Sequence, residues 1–332
     1  MATSTNNAHP RFGWIGLGSM GQAMALNLQT HLSHITAPSL QFYNRTGSRG
    51  QPVQDIGGVQ HSSIPDLIAN IDICFIAVSD DSAVRSIIDT IVTVDPEQLR
   101  QKLIVDTTTV HPDTSAWAQG RLEEYGASYL ASPVLGATPV AQEGKLLFAV
   151  AGPDEAVQRV EPYIVGVMGR KVMRLGRDVT RATLLKCTGN FLIGGMMELV
   201  AEAQVLAEKS GLGSDVLEGL LEEQYGPLLT SMSKRMTGGH YLPARGQRPW
   251  ADVNLAIKDV SLGVSCAEAA GTDLPVARVV LDHLRAARGY SEETGRALDS
   301  SAMYGVLRER AGLAFESERV KQRDSKEGSD AN

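Results

Sequence analysis

Lys186 and Asn190 stand four residues apart in the run TLLKCTGNFLIGG. In a helix that spacing puts both side chains on one face, side by side. A lysine in so apolar a setting is costly to keep charged, and burial without a partner lowers its pKa. A lysine tuned toward neutrality can hand a proton to a developing alkoxide and take it back in the reverse direction. Asn190 can hold the same oxygen or a polar group beside it. The plainer alternative is a lysine that runs its stem along apolar surface and keeps its ammonium in water.

A second constellation lies near the start. In FGWIGLGSMGQAMALNL, residues 12–28, Phe12, Trp14 and Ile15 form a short apolar strand, and Gly16, Gly18 and Gly21 follow at G-x-G-x-x-G spacing. The first glycine permits a tight turn, the second lets a pyrophosphate approach the backbone, and the third lets helix and strand pack closely. With Leu17, Ser19 and Met20 they form a loop that opens a helix, whose unpaired N–H groups and positive dipole end favour an anion. A glycine-rich turn can also bind nothing. Here the strand before it, the amphipathic helix behind it and a second strand, LQFYN, supply the context of a dinucleotide site.

That second strand ends in Asn44-Arg45-Thr46. NAD-binding versions carry Asp or Glu there, to accept hydrogen bonds from the ribose hydroxyls. With no carboxylate present, Arg45 can pair with a 2′-phosphate through a charge-assisted fork, and Asn44 and Thr46 can donate to it. NADP(H) is therefore the expected cofactor.

The elements that position these groups fall into two textures. Up to about residue 176, apolar runs (LQFYN, DICFIAV, KLIVDTT, LLFAVAG) alternate with helical stretches (SAVRSIIDTIV, PDTSAWAQGRLEEYG). Alternation of this kind predicts parallel pairing in a doubly wound α/β domain. Residues 180–210 then read as one long helix, apolar on most faces and so expected to be buried on most faces, by other helices and a second subunit. Helical segments follow, VNLAIKDVSLGVSCAEAAG and PVARVVLDHLRAARG, with ARGQRPW (244–250) as a solvated insertion. The expected plan is a Rossmann domain over 11–176, an interdomain helix over 177–211, an all-helical substrate and dimerisation domain over 212–315, and a charged, disordered tail over 316–332. A substrate would meet the cofactor between the domains.

Composition narrows the partners. The chain has 332 residues, 43% hydrophobic and 21% charged, with a formal charge of −7. No basic face suggests nucleic acid. Cys74, Cys187 and Cys266 form no C-x-x-C pair and read as reduced, buried thiols. MATSTNNAHPRFG carries no apolar signal core, and no uninterrupted apolar run is long enough to span a bilayer, so a cytoplasmic protein is expected. His111 and His240 are too isolated to ligate a metal.

Taken together, these residues resemble the β-hydroxyacid dehydrogenases, the relatives of 3-hydroxyisobutyrate and 6-phosphogluconate dehydrogenases, from Phe12 to about Leu313. DTTTVHP (106–112) is similar to the family's D-x-S-T-x-x-P segment. SPVLGATPVAQEGKL (132–146) is similar to its substrate loop, and KCTGN (186–190) to its K-x-x-N-N. AEAQVLAEKSGL (201–212) continues that helix, and NLAIKD (254–259) is similar to L-x-x-K-D. GVMGR, ATLLK and MYGVLRERAGLAFE resemble a fungal branch most.

The resemblance implies a hydride passed between NADPH and a carbonyl or hydroxyl carbon, with Lys186 as general acid and base. It implies Lys258 beside the nicotinamide, next to Asp259, although a KD pair can equally be an exposed ion pair of little weight. Thr108 and Thr109 would hydrogen-bond the nicotinamide ribose or carboxamide, or simply cap a helix. Val78, Ser79 and Asp80 would border the dinucleotide, with Asp80 an alternative N-cap. Ser132, Pro133, Leu135, Gly136 and Ala137 would line the substrate, where backbone N–H groups could still form an anion nest.

The departures are specific. The family's loop serine is Leu135 and its second glycine is Ala137; the first asparagine of its pair is Gly189, while Asn190 is kept. Thr180, Arg181 and Ala182 replace the glycines before the lysine. Two other readings stand beside carbonyl chemistry: an imine reductase, disfavoured by Lys186, and a cofactor-binding scaffold without turnover. A homodimer is expected from the apolar helix.

Overall fold

The computed structural model describes residues 9–330, so most of the N-terminal stretch read for a signal core (residues 1–8) and residues 331–332 lie outside it. The chain divides into two compact units after Lys186.

The first unit is built on six parallel strands: β1 (Phe12–Ile15), β2 (Gln41–Tyr43), β3 (Val59–Gln60), β4 (Ile73–Ile76), β5 (Leu103–Asp106) and β6 (Ser128–Ala131). Their order is β3-β2-β1-β4-β5-β6, the doubly wound order that reverses beside β1. Alternate residues serve opposite faces. Phe12, Trp14, Phe75 and Val105 pack into one apolar cluster, while Ile15, Ile76, Ile104 and Tyr129 pack into another. Both faces are thus covered, which is why the strands read as continuous apolar runs.

Helices α1 (Ser19–His34), α2 (Gln51–Gln54), α3 (Ile64–Asn70), α4 (Asp81–Ile91), α5 (Pro96–Leu99) and α6 (Pro112–Glu123) alternate with these strands. In α4 the buried stripe Val84, Ile87, Ile88 and Ile91 has the spacing of one helix face.

LLFAVAG, expected with the other strands, belongs elsewhere. It forms β8 (Leu146–Val150) of a separate sheet, antiparallel to β7 (Val134–Leu135) and parallel to β9 (Gly169–Arg174). The turn that closes this hairpin contains α7 (Thr138–Gln142), and α8 (Asp154–Ile164) connects β8 to β9.

The long helix has the expected limits, α9 (Thr180–Ser210), and carries the chain across the division after Lys186. The second unit continues as α10 (Ser214–Tyr225), α11 (Pro227–Thr237), α12 (Val253–Ala269), α13 (Pro275–Thr294), α14 (Met303–Arg310) and α15 (Glu318–Asp330). Met197, Val200, Met232, Tyr241, Val280, Leu284 and Phe315 form its core. Gly305 is required by that core, because a Cβ there would sit 2.6 Å from the Phe315 ring.

Two expectations are corrected. The first is burial of α9 on most faces as far as the chain's own helices are concerned. By length and hydropathy this helix could cross a bilayer, yet only 33% of its most apolar window is buried. Leu192, Leu199 and Leu206 are 54%, 65% and 68% exposed, and their seven-residue spacing makes them one stripe.

The second correction concerns the tail, expected to be disordered from residue 316. It folds as α15 because one apolar residue and two charged ones find partners in the second unit. Val320 is fully buried, Asp324 pairs with Arg296 at 2.7 Å, and Arg323 donates to the Gly239 carbonyl at 3.1 Å.

Candidate active site

The glycine loop is organised by backbone geometry. Gly16 has φ +97°, and a Cβ there would lie 2.3 Å from the Ala77 carbonyl. A Cβ on Gly21 would lie 2.3 Å from the Gly16 carbonyl, so α1 can cross this close to β1 only with glycine. Around Gly18 there is open space instead, with nothing within 4 Å of where a Cβ would stand. Gly18 is the N-cap of α1, which has neither a side-chain cap nor an acidic residue in its first turn. An open backbone at an uncapped helix start fits a bound phosphate, since the free N–H groups and the dipole both favour an anion. Leu17 is buried; Ser19 and Met20 are partly exposed, and Thr138 Oγ1 donates to Met20 Sδ at 3.7 Å.

Asn44 has a structural job beside the one expected. Its Oδ1 accepts the Leu17 N–H at 2.8 Å, and its Nδ2 donates to the Thr46 carbonyl at 2.7 Å. The amide thus holds the loop, and one of its two N–H groups is left to donate elsewhere. Arg45 and Thr46 are exposed, and so is Arg49 in the following 3-10 turn Gly47–Gly50. Sequence reading missed Arg49. Its position four residues after Arg45, in the same turn, was the available signal.

At the ends of β4 and β5 the chain makes a hydrogen-bonded rim. Thr108 Oγ1 accepts the Val78 N–H at 3.2 Å, and Thr107 donates from Oγ1 to the Ile76 carbonyl at 2.7 Å. Thr108 is 3% exposed, with its hydroxyl committed to this contact; Thr109 is partly exposed. Asp80 is the N-cap of α4, accepting from Ala83 N–H at 2.9 Å and from the Ser79 and Ser82 hydroxyls at 2.6 Å each. The capping alternative therefore accounts for its carboxylate.

The proposed substrate loop is partly inside the fold. Ser132 and Pro133 are buried, Leu135 and Ala137 are half-buried and Gly136 is exposed with φ +137°. The Ser132 hydroxyl has no hydrogen-bond partner among the described residues. Leu135 pairs in register with Leu147, and Asn27 of α1 donates to the Ala141 carbonyl at 2.8 Å. The loop is thereby tied to the helix that begins at the glycines.

On α9, Lys186 is 8% exposed. Asn190, one turn on, is half-buried, and its Nδ2 is a buried donor with no acceptor among the described residues. Lys258 pairs with Asp259 at 2.9 Å, both about a quarter exposed or less (22% and 24%). Burial pushes the Cys187 thiol upward, and the Cys266 thiol within hydrogen-bonding reach adds to that. Among the described residues, no three His, Cys, Asp or Glu side chains group as metal ligands.

Comparison with known proteins identifies the family. Residues 11–176 match the NAD binding domain of 6-phosphogluconate dehydrogenase, and residues 181–307 match the NAD-binding domain of NADP-dependent 3-hydroxyisobutyrate dehydrogenase. An NADH-dependent oxidoreductase of Aspergillus ustus, ucdB, is 30% identical over 89% of this chain and 98% of its own length. Glyoxylate/succinic semialdehyde reductase 1 of Arabidopsis thaliana is 27% identical over 83% of this chain and 92% of its own. In fold, the chain is similar to Mycobacterium tuberculosis 3-hydroxyisobutyrate dehydrogenase with L-serine. That match has a TM-score of 0.73 and 21% identity, over 90% of this chain and 99% of that one. It is also similar to a reductive aminase of Aspergillus terreus, with a TM-score of 0.58 and 18% identity over 90% and 99% of the two chains. With both segments matched in sequence and the doubly wound sheet observed, the chain belongs to the β-hydroxyacid dehydrogenase family of NAD(P)-binding oxidoreductases.

Proposed function

We propose that the protein is an NADPH-dependent reductase that interconverts a small carbonyl compound and its alcohol. The observation that carries this reading is the pair on α9: a buried lysine, with an asparagine one turn away whose buried amide donor lacks an acceptor among the described residues. When bound, the reduced nicotinamide supplies hydride. Lys186 gives the proton that the developing alkoxide needs and recovers it in the reverse direction. Asn190 donates to the same oxygen or to a neighbouring polar group, which would satisfy its orphaned amide. Gly16, Gly18 and Gly21 open the backbone to the pyrophosphate. Val78, Thr108 and Thr109 would border the nicotinamide end and Ser132 to Ala137 the substrate, while Lys258 is assigned to the cofactor on the family resemblance alone.

The preference for NADPH is supported by Arg45 and Arg49, two exposed guanidiniums in the turn after β2, with no carboxylate at the strand end. The name of the Aspergillus ustus relative points the other way, toward NADH. Assaying purified protein with each reduced cofactor against a panel of aldehydes, keto acids and imines tests both cofactor and acceptor. A second reading, imine reduction, is favoured by the structural likeness to the reductive aminase. Reduction of imines alone, with every carbonyl inert, would replace the carbonyl reading.

We further propose a homodimer in which Leu192, Leu199 and Leu206 of α9 are covered by a second copy, since exposed leucines at this spacing form an apolar stripe. Light scattering that gives a monomer at micromolar concentration would reject it. We assign the protein to the cytoplasm, a reading supported by its three free cysteines.

A further inference from the structure

Asp106 is a buried carboxylate at the exit of β5, 1% exposed, and the mechanism above leaves it without a part. Its Oδ1 accepts the Thr108 N–H at 2.9 Å and its Oδ2 accepts the Tyr129 hydroxyl at 3.0 Å. Its main-chain carbonyl accepts the Ser132 N–H at 2.7 Å. Thr108, held in this way, accepts the Val78 N–H on its own hydroxyl at 3.2 Å. One residue therefore links the exits of β4, β5 and β6. These are the exits from which Val78 to Asp80, Thr108 to Thr109 and Ser132 to Ala137 emerge.

An apolar residue would suit so buried a position better, because a carboxylate out of water costs several kcal/mol even when it is hydrogen-bonded. Burial pushes the Asp106 carboxyl up to about 6, against hydrogen bonds from Thr108 and Tyr129 and with Asp81 adding a small repulsion. What the carboxylate provides is geometry: two acceptor oxygens that fix the peptide of Thr108 and the side chain of Tyr129 at once.

We propose that Asp106 is the positioning residue of the site. Its carboxylate acts through Thr108 and, on β6, through Tyr129 to set the strand exits that would hold the nicotinamide end of the cofactor and the substrate. The proposal rests on the dehydrogenase reading above, but it concerns orientation rather than affinity. The glycine loop and the turn after β2, which face the phosphates and the adenosine half in that reading, lie on other strands.

The test uses the full-length protein and whichever of NADPH and NADH it binds more tightly. Cofactor affinity and the emission of the bound nicotinamide are measured for the unmodified protein, Asp106→Ala, Asp106→Asn and Thr108→Val. Single-turnover reduction is followed with glyoxylate and succinic semialdehyde as probes. For Asp106→Ala we expect a Kd within about threefold of the unmodified value, at least half of the emission enhancement lost, and reduction slowed about tenfold or more. Thr108→Val, which removes one acceptor at nearly constant shape, moves the same readouts by about threefold. Asp106→Asn keeps the acceptor for Thr108 and falls less than Asp106→Ala. It also lacks the loss of rate below about pH 6 expected for the unmodified protein.

Unchanged emission and rate in Asp106→Ala overturn the proposal, and so does a loss of affinity matched to a loss of melting temperature. Where Asp106→Ala does not fold, Thr108→Val and Asp106→Asn decide. If the unmodified protein binds neither cofactor, the dehydrogenase reading fails first and takes the proposal with it. Binding without any response in the variants overturns the proposal alone.

Discussion

Asn44 Oδ1 accepts the Leu17 N–H at 2.8 Å, so the end of β2 holds the middle of the glycine loop in place. The same amide donates to Thr46, which makes it a brace between the loop and the Arg45 turn. A side chain that braces a loop should affect any dinucleotide, whatever its 2′ substituent. Asn44→Ala removes one hydrogen bond to a backbone donor, about 1 kcal/mol. We expect NADPH and NADH affinity to fall together by roughly threefold to tenfold, measured by fluorescence titration. A change confined to NADPH would mean that Asn44 reads the phosphate directly.

Cofactor preference should reside in the cations. We expect NADPH to bind at least tenfold tighter than NADH, about 1.4 kcal/mol, through pairing of Arg45 and Arg49 with the 2′-phosphate. Arg45→Ala should erase most of the difference and Arg49→Ala part of it. Equal affinities in the unmodified protein would defeat this reading and align the chain with its NADH-dependent relative.

Lys186→Ala should lower turnover by about two to four orders of magnitude, the range expected for losing a general acid. The Kd for the cofactor should change little. Near-normal steady-state turnover in this variant would show that the proton comes from elsewhere.

At the proposed substrate loop, Leu135 puts an apolar side chain where the family resemblance implies a serine, and its backbone is fixed by pairing with Leu147. A carboxylate or hydroxyl facing Leu135 would lose hydrogen bonds it had in water, a penalty of about 1–3 kcal/mol. We therefore expect poor kcat/KM for 3-hydroxyisobutyrate, glycerate and 6-phosphogluconate, and better values for carbonyl compounds with more apolar bulk. Efficient oxidation of 3-hydroxyisobutyrate would contradict it.

Glu198 and His283 give a pH prediction for the second unit. His283 Nε2 takes a hydrogen bond from Arg310, a pure donor, so Nδ1 carries the proton that is given to Glu198 Oε1 at 2.5 Å. Burial, with Glu202 nearby, pushes the Glu198 carboxyl up to about 7, while Arg310 opposes this. Burial and Arg310 hold His283 below its ordinary range, which works in the opposite direction. A raised carboxyl binds a proton in the folded state that the unfolded chain has already lost. Its contribution to stability is thus full below about pH 4.5 and lost as the pH rises through about 7. Substitution isolates that contribution. The melting temperature of the unmodified protein minus that of Glu198→Gln should be larger at pH 5 than at pH 8. A difference that is flat or grows with pH would show that Glu198 stays ionised.

The legible part of this fold was the part written in local periodicity. Helix α9 could be bounded at 180 and 210 because no proline or turn cluster interrupts it. β1, β4 and β5 could be found because both of their faces are buried. β6, which opens on the polar and half-buried Ser128, and β9, whose Arg170 and Lys171 are exposed, carry no such signal. That β8 leaves the main sheet depends on pairing with distant β7 and β9, which no local run encodes. The candidate residues were legible by type, but their partners were not. Asn44 was read as a donor to the cofactor, and no local signal told that its oxygen also holds Leu17. Asp106 passed as one letter of a motif because Tyr129 and Ser132 lie more than twenty residues away.

Helix α15 changes what a late stop codon would do in this reading frame. Tyr241 donates its hydroxyl to the Phe315 carbonyl and accepts the Ser317 N–H, and Phe315 stacks on Tyr290 at 3.7 Å between ring centroids. Ending translation just after Leu313 would strip that aromatic stack of one partner, uncover the surface under Val320 and leave Arg296 without Asp324 and Glu316. The segment from Ala314 to Lys326, polar and dispensable in appearance, is in that sense a component of the hydrophobic interior. A nonsense mutation there should be inherited as a loss of folded protein.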